Sequence, residues 1–95
     1  MSKHLDSKMF VLVDKSSGGV YAVRDGNIDE KVVQIFEQED DATRYYGYLK
    51  ADNYKRSLEI VEVEEEIVKD NCTSYGYNYT IITPNDIVFP PKDVD

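Results

Sequence analysis

Val32-Val-Gln-Ile-Phe36, then Glu37-Gln-Glu-Asp-Asp41 and Ala42-Thr-Arg-Tyr-Tyr-Gly-Tyr-Leu-Lys50, is the stretch where the hydrophobic period changes. In the first segment Val33 and Ile35 fall on one face and Val32 and Phe36 on the other, the alternation of a strand. In the last, Ala42, Tyr45, Tyr46 and Leu49 sit at i, i+3, i+4 and i+7, one stripe of a helix. Between them, Glu39, Asp40 and Asp41 can meet the orphan N–H groups and positive dipole end of a helix start. Asp52-Asn53 supplies a stop, so a helix is expected over about 39–52. Gly47 weakens that helix by about 1 kcal/mol relative to alanine, which calls for a compensation such as close packing on a sheet.

Toward the N-terminus, Met9-Phe-Val-Leu-Val13 is a continuous apolar run, long enough for a strand and too short for a helix. Such a run suits a central strand covered on both faces, or one with an end buried. The turn formers Asp14-Lys-Ser-Ser-Gly-Gly19 and the segment Val20-Tyr-Ala-Val-Arg24 complete a hairpin, and Asp25-Gly26 supplies a second turn. Toward the C-terminus, Leu58-Glu-Ile-Val-Glu-Val63 reads as a strand whose alternation slips between Ile60 and Val61, the mark of a bulge or an edge. Residues 64–75 form the second helix, with Val68, Cys72 and Tyr75 on one face, and Gly76 suits its end. Tyr77-Asn-Tyr-Thr-Ile-Ile-Thr83 alternates as a further strand, Pro84-Asn85 turns, and Ile87-Val-Phe89 before Pro90-Pro91 is a last short extended piece.

The order β-β-β-α-β-α-β predicts an α+β fold. The expected form is a two-layer sandwich: a mainly antiparallel sheet of four or five strands with two helices on one face. It is ferredoxin-like in kind, with an added N-terminal hairpin. One domain over 8–91 is expected, between a disordered N-terminus at 1–7 and a tail at 92–95. The length allows no more: 95 residues bury one core, not two.

Charge and cysteine usage narrow the function. Nineteen acids against eleven bases give a net charge of −8, which opposes sequence-independent binding to phosphate backbones. The single Cys72 excludes an internal disulfide and a thiolate zinc site within one chain. No apolar run approaches the roughly 18 residues of a membrane span. Residues 1–8 lack the apolar region of a secretory signal, and a cytoplasmic location is expected.

Phe36-Glu-Gln-Glu-Asp-Asp-Ala-Thr-Arg-Tyr45, Leu49-Lys-Ala-Asp-Asn-Tyr54, Val61-Glu-Val-Glu-Glu-Glu-Ile67, Cys72-Thr-Ser-Tyr-Gly-Tyr77 and Pro90-Pro91 together resemble a family of small cyanobacterial proteins. That family carries a domain-of-unknown-function label and has relatives in cyanophages. The resemblance spans about residues 32 to 91 and implies a cyanobacterial or cyanophage source and a cytoplasmic protein. It brings no catalytic residue.

None of the chemistry-bearing residue types forms a catalytic pattern. Glu37-Gln-Glu-Asp-Asp41 could supply oxygen ligands to a hard cation, but helix-start stabilisation accounts for it. Asp25-Gly-Asn-Ile-Asp-Glu30 lacks the length and final glutamate of a calcium loop. Glu62, Glu64, Glu65 and Glu66 fit a solvated strand end and helix start better than an acid–base pair. Cys72 falls on an apolar helix face, and the single histidine, His4, lies in the N-terminal segment. Ser16-Ser-Gly-Gly19 has neither the lysine nor the following helix of a phosphate loop. The expectation is therefore no enzyme, no metal and no cofactor.

Eight tyrosines and a strong negative charge point instead to a protein partner with a basic surface. Tyr45, Tyr46 and Tyr75 are expected to face the sheet. The expected partner surface joins Glu37, Glu39, Asp40, Asp41, Glu62, Glu64, Glu65 and Glu66 with Tyr48 and Tyr54 as apolar anchors. A small-ligand sensor is the alternative, with the ligand between helices and sheet. A homodimer through a sheet edge or helix face is a second way to use the surface. Charge that serves solubility alone is the plainest reading of the acids.

Overall fold

A computed structural model describes residues 8–25 and 30–86. In chain order the elements are β1 (Lys8–Asp14), β2 (Ala22–Asp25), β3 (Glu30–Phe36), α1 (Glu39–Ala51), β4 (Leu58–Glu64), α2 (Glu65–Tyr75) and β5 (Asn78–Ile82). The readings made for residues 1–7, for His4, for the 25–30 loop, for the 87–89 segment, for Pro90-Pro91 and for the tail fall wholly or partly outside the described residues.

The strands form one five-stranded sheet in which β1 is central. β1 runs antiparallel to β4 along its full length, from Lys8↔Glu64 to Asp14↔Leu58. It also touches β3 through Phe10↔Phe36. Val32 and Val33 pair with both β2 and β5, so those two strands border opposite edges of β3. Phe36 pairs with both Phe10 and Ile82, which places β1 on the β2 side. β2 therefore leaves β1 after the Val13↔Val20 bridge and takes over its place alongside β3. The sheet is mainly antiparallel, and the β3–β5 pair is parallel.

The α+β class, the five strands and the two helices are as the sequence predicts. The placement of the helices is not. Leu12 packs in one core with Phe36, Ala42, Tyr45 and Leu49, under α1. Val11, the next residue in β1, packs in another with Val33, Ile35, Val68 and Cys72, under α2, so the single core expected of this length is in fact two, one on each face of the sheet. Successive strand residues point to opposite faces, so the helices cover opposite faces of the sheet. The expected two-layer sandwich with both helices on one face is thus replaced by helix, sheet, helix. The N-terminal hairpin is not an addition at the rim either, because its first strand is the centre of the sheet.

Local chemistry explains where the elements stop. α1 ends at Asp52, and Asn53 follows in the left-handed region at φ 66. α2 ends on Gly76, at φ 76, where a Cβ is disfavoured, and its N–H bonds the carbonyl of Thr73. β4 has no bulge: its ladder with β1 is unbroken, and the Ile60-Val61 slip marks an edge strand with an apolar core on each face.

Candidate functional site

The acids gather at one end of the sheet. Phe10 is level with both Phe36 and Glu62, so β3 and β4 finish side by side. α1 leaves the end of β3 on one face, and α2 leaves the end of β4 on the other. Both helices therefore start at this end with acids in their first turns, Glu39, Asp40 and Asp41 on α1 and Glu65 and Glu66 on α2. Each is stabilised there by the helix dipole.

The ten residues of the expected surface divide by environment. Glu39, Asp40, Glu62, Glu64 and Glu66 are exposed, and Glu37 is half-buried. Glu65 bonds Lys69 at 2.7 Å one turn along the helix. Asp41 does not belong to the surface: it is buried, and its Oδ1 accepts from Arg44 Nη1 at 2.8 Å. With Arg44, Tyr45 and Tyr48 it lines a cavity of about 200 Å³ beside the start of α1. Tyr48 is half-buried there, away from Tyr54, whose ring meets Tyr21 edge-on at 5.9 Å. Tyr48 and Tyr54 do not form one patch with the acids.

Under α1 the core is aromatic and closed. Tyr45 is packed edge-on against Phe36 and Tyr21, and its hydroxyl shares a hydrogen bond with that of Tyr21 at 3.2 Å. Burial, reinforced by that bond, pushes the Tyr45 hydroxyl far above the ordinary tyrosine pKa. Tyr46 reaches across to accept from the Leu58 N–H at 2.9 Å, and Lys50 stands over its ring. These tyrosines are structural.

Under α2 the core is thin and open. Among the described residues it holds no aromatic side chain, and Val13, Val20, Ala22, Val61, Val63 and Ile81 are only partly buried. α2 joins the finish of β4 to the start of β5, which lies at the opposite end of the sheet, so it crosses diagonally and leaves part of this face uncovered. The result is a groove that runs on past Asp14 and Arg56 to Tyr21, Tyr54 and Leu58 at the margin of the other core, about 990 Å³ in all. Its floor is Val11, Val13, Val61 and Val63, and its helix wall carries Ile67, Cys72 and Tyr75. Four large apolar side chains are exposed on this side: Ile67, Tyr75, Tyr77 and Tyr79. Tyr75, expected on the sheet, is 75% exposed and leans toward Tyr77 with ring centroids 6.3 Å apart.

Residue composition alone did not reveal this groove. Its signals were the unbroken apolar run in β1 and the doublet Ile60-Val61, both of which demand cover on two faces. Cys72 is buried in its helix wall, and burial raises its thiol pKa, which favours the neutral thiol over the thiolate. Among the described residues no group of three or more His, Cys, Asp or Glu side chains could hold a metal ion. Among them also, no helix is long and apolar enough to cross a membrane.

An α+β domain with one closed aromatic core and one open apolar face is thus the class defined by fold and surface. A family described as Domain of unknown function (DUF3110) matches residues 9–92, and the chain belongs to it. Among curated proteins none matches. Among solved structures the chain is similar to Anabaena Tic22 (protein transport), at 17% identity and a TM-score of 0.56. The match covers 90% of this chain and 42% of that one, so the chain spans less than half the length of its structural neighbour. At that identity the likeness concerns the fold.

Proposed function

We propose that this chain is a non-catalytic protein-binding module acting in the cytoplasm of a cyanobacterium or of a cyanophage-infected cell. Its contact surface is the open α2 face, and its acids orient a partner with a basic surface. The observation that carries this reading is the apolar groove beneath α2, continuous with exposed Ile67, Tyr75 and Tyr77. Contiguous exposed apolar surface on a small domain marks a contact site, and aromatic residues are its usual anchors. Net charge of −8 supplies the long-range attraction to basic partners and disfavours nucleic acid.

The alternative, a small-ligand sensor, draws on the same groove. Breadth and openness favour a polypeptide, since small molecules are held by enclosure. The structural neighbour's printed role, protein transport, agrees in kind with a protein-handling surface.

The test is photo-crosslinking from a probe at Ile67, compared with the same probe at Thr43 on the exposed side of α1. Discrete adducts with basic proteins from Ile67 alone, lost at raised salt and in the charge-reversed Glu64/Glu65/Glu66 variant, support the reading. Equal adducts from both positions, or none from Ile67, defeat it.

A further inference from the structure

Within that protein-binding reading, we propose that the partner supplies an extended segment that docks along β4 as an added strand. Its side chains would alternate, aliphatic toward the groove under α2 and basic toward the face carrying Glu62 and Glu64.

The outer edge of β4 is the first reason. β4 borders β1 along seven registered residues and, among the described residues, has no strand on its other side. An edge strand turns alternate N–H and C=O groups outward, a template for another chain. Natural edges are commonly blunted by proline, by charged side chains or by a bulge. Leu58-Glu-Ile-Val-Glu-Val-Glu64 has no proline and no bulge, and its only guard is the negative charge of Glu59, Glu62 and Glu64, which a basic strand neutralises.

The two faces of this edge then specify what can add to it. On the α2 side Val61 and Val63 are half-buried and form the part of the groove floor that lies on the edge strand, with Ile67 in the helix wall. A strand laid beside them would extend the groove floor with its own aliphatic side chains. On the α1 side Glu62 and Glu64 are exposed. Cross-strand neighbours of opposite charge are favourable and like charges are not, so lysine or arginine belongs at the facing positions. The period of two along the incoming segment follows from the strand geometry.

The same acids argue against a second copy of this chain as the occupant. In the fullest antiparallel overlap of two β4 strands, Glu62 and Glu64 of one face Ile60 and Leu58 of the other and meet no cation; in registers shifted toward Glu64 they face one another, between domains that each carry −8. A basic strand thus pairs these acids where a second copy does not, a use of charge for specificity.

The experiment uses the whole chain and a synthetic peptide of about nine residues, the length of a long strand, alternating valine and lysine. One control has the same composition in two blocks, and a second is N-methylated at alternate amides. Binding is followed by peptide fluorescence anisotropy and by residue-resolved amide exchange. The alternating peptide is expected to slow exchange along β4 by about tenfold or more. Its affinity is expected to fall with salt and with Glu62→Lys/Glu64→Lys, and to fall less with Glu62→Gln/Glu64→Gln, folding being checked by circular dichroism. Both controls are expected to bind about tenfold more weakly, the block peptide for want of the alternation and the N-methylated one for want of the ladder. Equal binding by the N-methylated peptide, or no added protection in β4, overturns the strand addition. Protection confined to α2 and the groove floor would do so while leaving the protein-binding reading intact. Concentration-dependent protection of β4 without peptide, with a dimeric mass, would assign the edge to a second copy and overturn it as well.

Discussion

Arg56 and Asp14 stand 42 residues apart in the chain and 2.8 Å apart in the fold, Nη1 donating to Oδ2. The contact ties the approach to β4 onto the end of β1, beside the backbone bond from Lys15 N–H to the Ser57 carbonyl. The other carboxylate oxygen of Asp14 accepts from the Ser16 N–H at 2.8 Å, closing the turn that follows β1. One buried side chain thus organises both the hairpin turn and the β1–β4 register.

Asp14 should therefore make folding sensitive to acid. The Arg56 hydrogen bond, then the Ser16 N–H, hold its carboxyl below the ordinary aspartate value. A carboxyl depressed in the folded state contributes stability above its unfolded pKa, about 3.9, and loses it as pH falls through the folded value. Urea denaturation should show Asp14→Asn destabilised at neutral pH, with its deficit shrinking as pH falls below about 4. A deficit that does not depend on pH would separate Asp14 from this role.

Tyr45 should set the alkaline limit. Its hydroxyl is raised by burial and by Tyr21, so the folded state favours the neutral form. That contribution is full below the unfolded tyrosine pKa of about 10 and is lost as pH rises from there toward the folded value. In a spectrophotometric titration, Tyr45 should ionise only as the protein unfolds, and Tyr45→Phe should unfold at higher pH than the parent. At neutral pH the substitution should cost about 1 kcal/mol, the worth of one neutral hydrogen bond.

Gly47 should be replaceable. It lies inside α1 and is exposed, and a Cβ built there meets nothing within 4 Å. The close approach to the sheet expected from its position in the sequence is not what keeps it. Gly47→Ala should then stabilise the protein by about 1 kcal/mol, the helix-propensity difference, or about 4–8 °C in melting temperature. Gly76→Ala should do the reverse, because φ 76 at the end of α2 strains any residue with a Cβ.

What was legible in the sequence was local. The change of period at 36–42 located α1, and the acids at its start agreed with their place in the first turn. Gly76 marked the end of α2 in the conformation that glycine favours. The tertiary arrangement was not legible in the order of elements, because the same order of strands and helices suits a sandwich with both helices on one face as well as one with a helix on each. Val11 and Leu12 are equally buried neighbours, and a strand can bury both only if each face is covered. That inference was available from Met9-Phe-Val-Leu-Val13, and it excludes two helices on one face. The groove was less accessible, because it depends on the diagonal course of α2 rather than on any residue. Tyr75 shows the difficulty: it shares a helix stripe with Val68 and Cys72, yet it lies one turn beyond the sheet's cover and is exposed.

Cys72 offers a reporter for that face. It is buried on α2 in the helix wall of the groove, and burial raises its pKa, so two effects keep it unreactive. Alkylation should be slow in the folded protein and accelerate on unfolding in denaturant. Ile67 is 53% exposed in the wall of the same groove, and Ile67→Ala should open access with little loss of stability. Faster alkylation in that variant than in the parent, at equal thermal stability, would show that the thiol is reached through the groove. An unchanged rate would mean that the reagent reaches Cys72 only by opening of α2. A polypeptide seated in the groove should slow the reaction in both proteins, and the thiol thus reads out occupancy without any knowledge of the partner's identity.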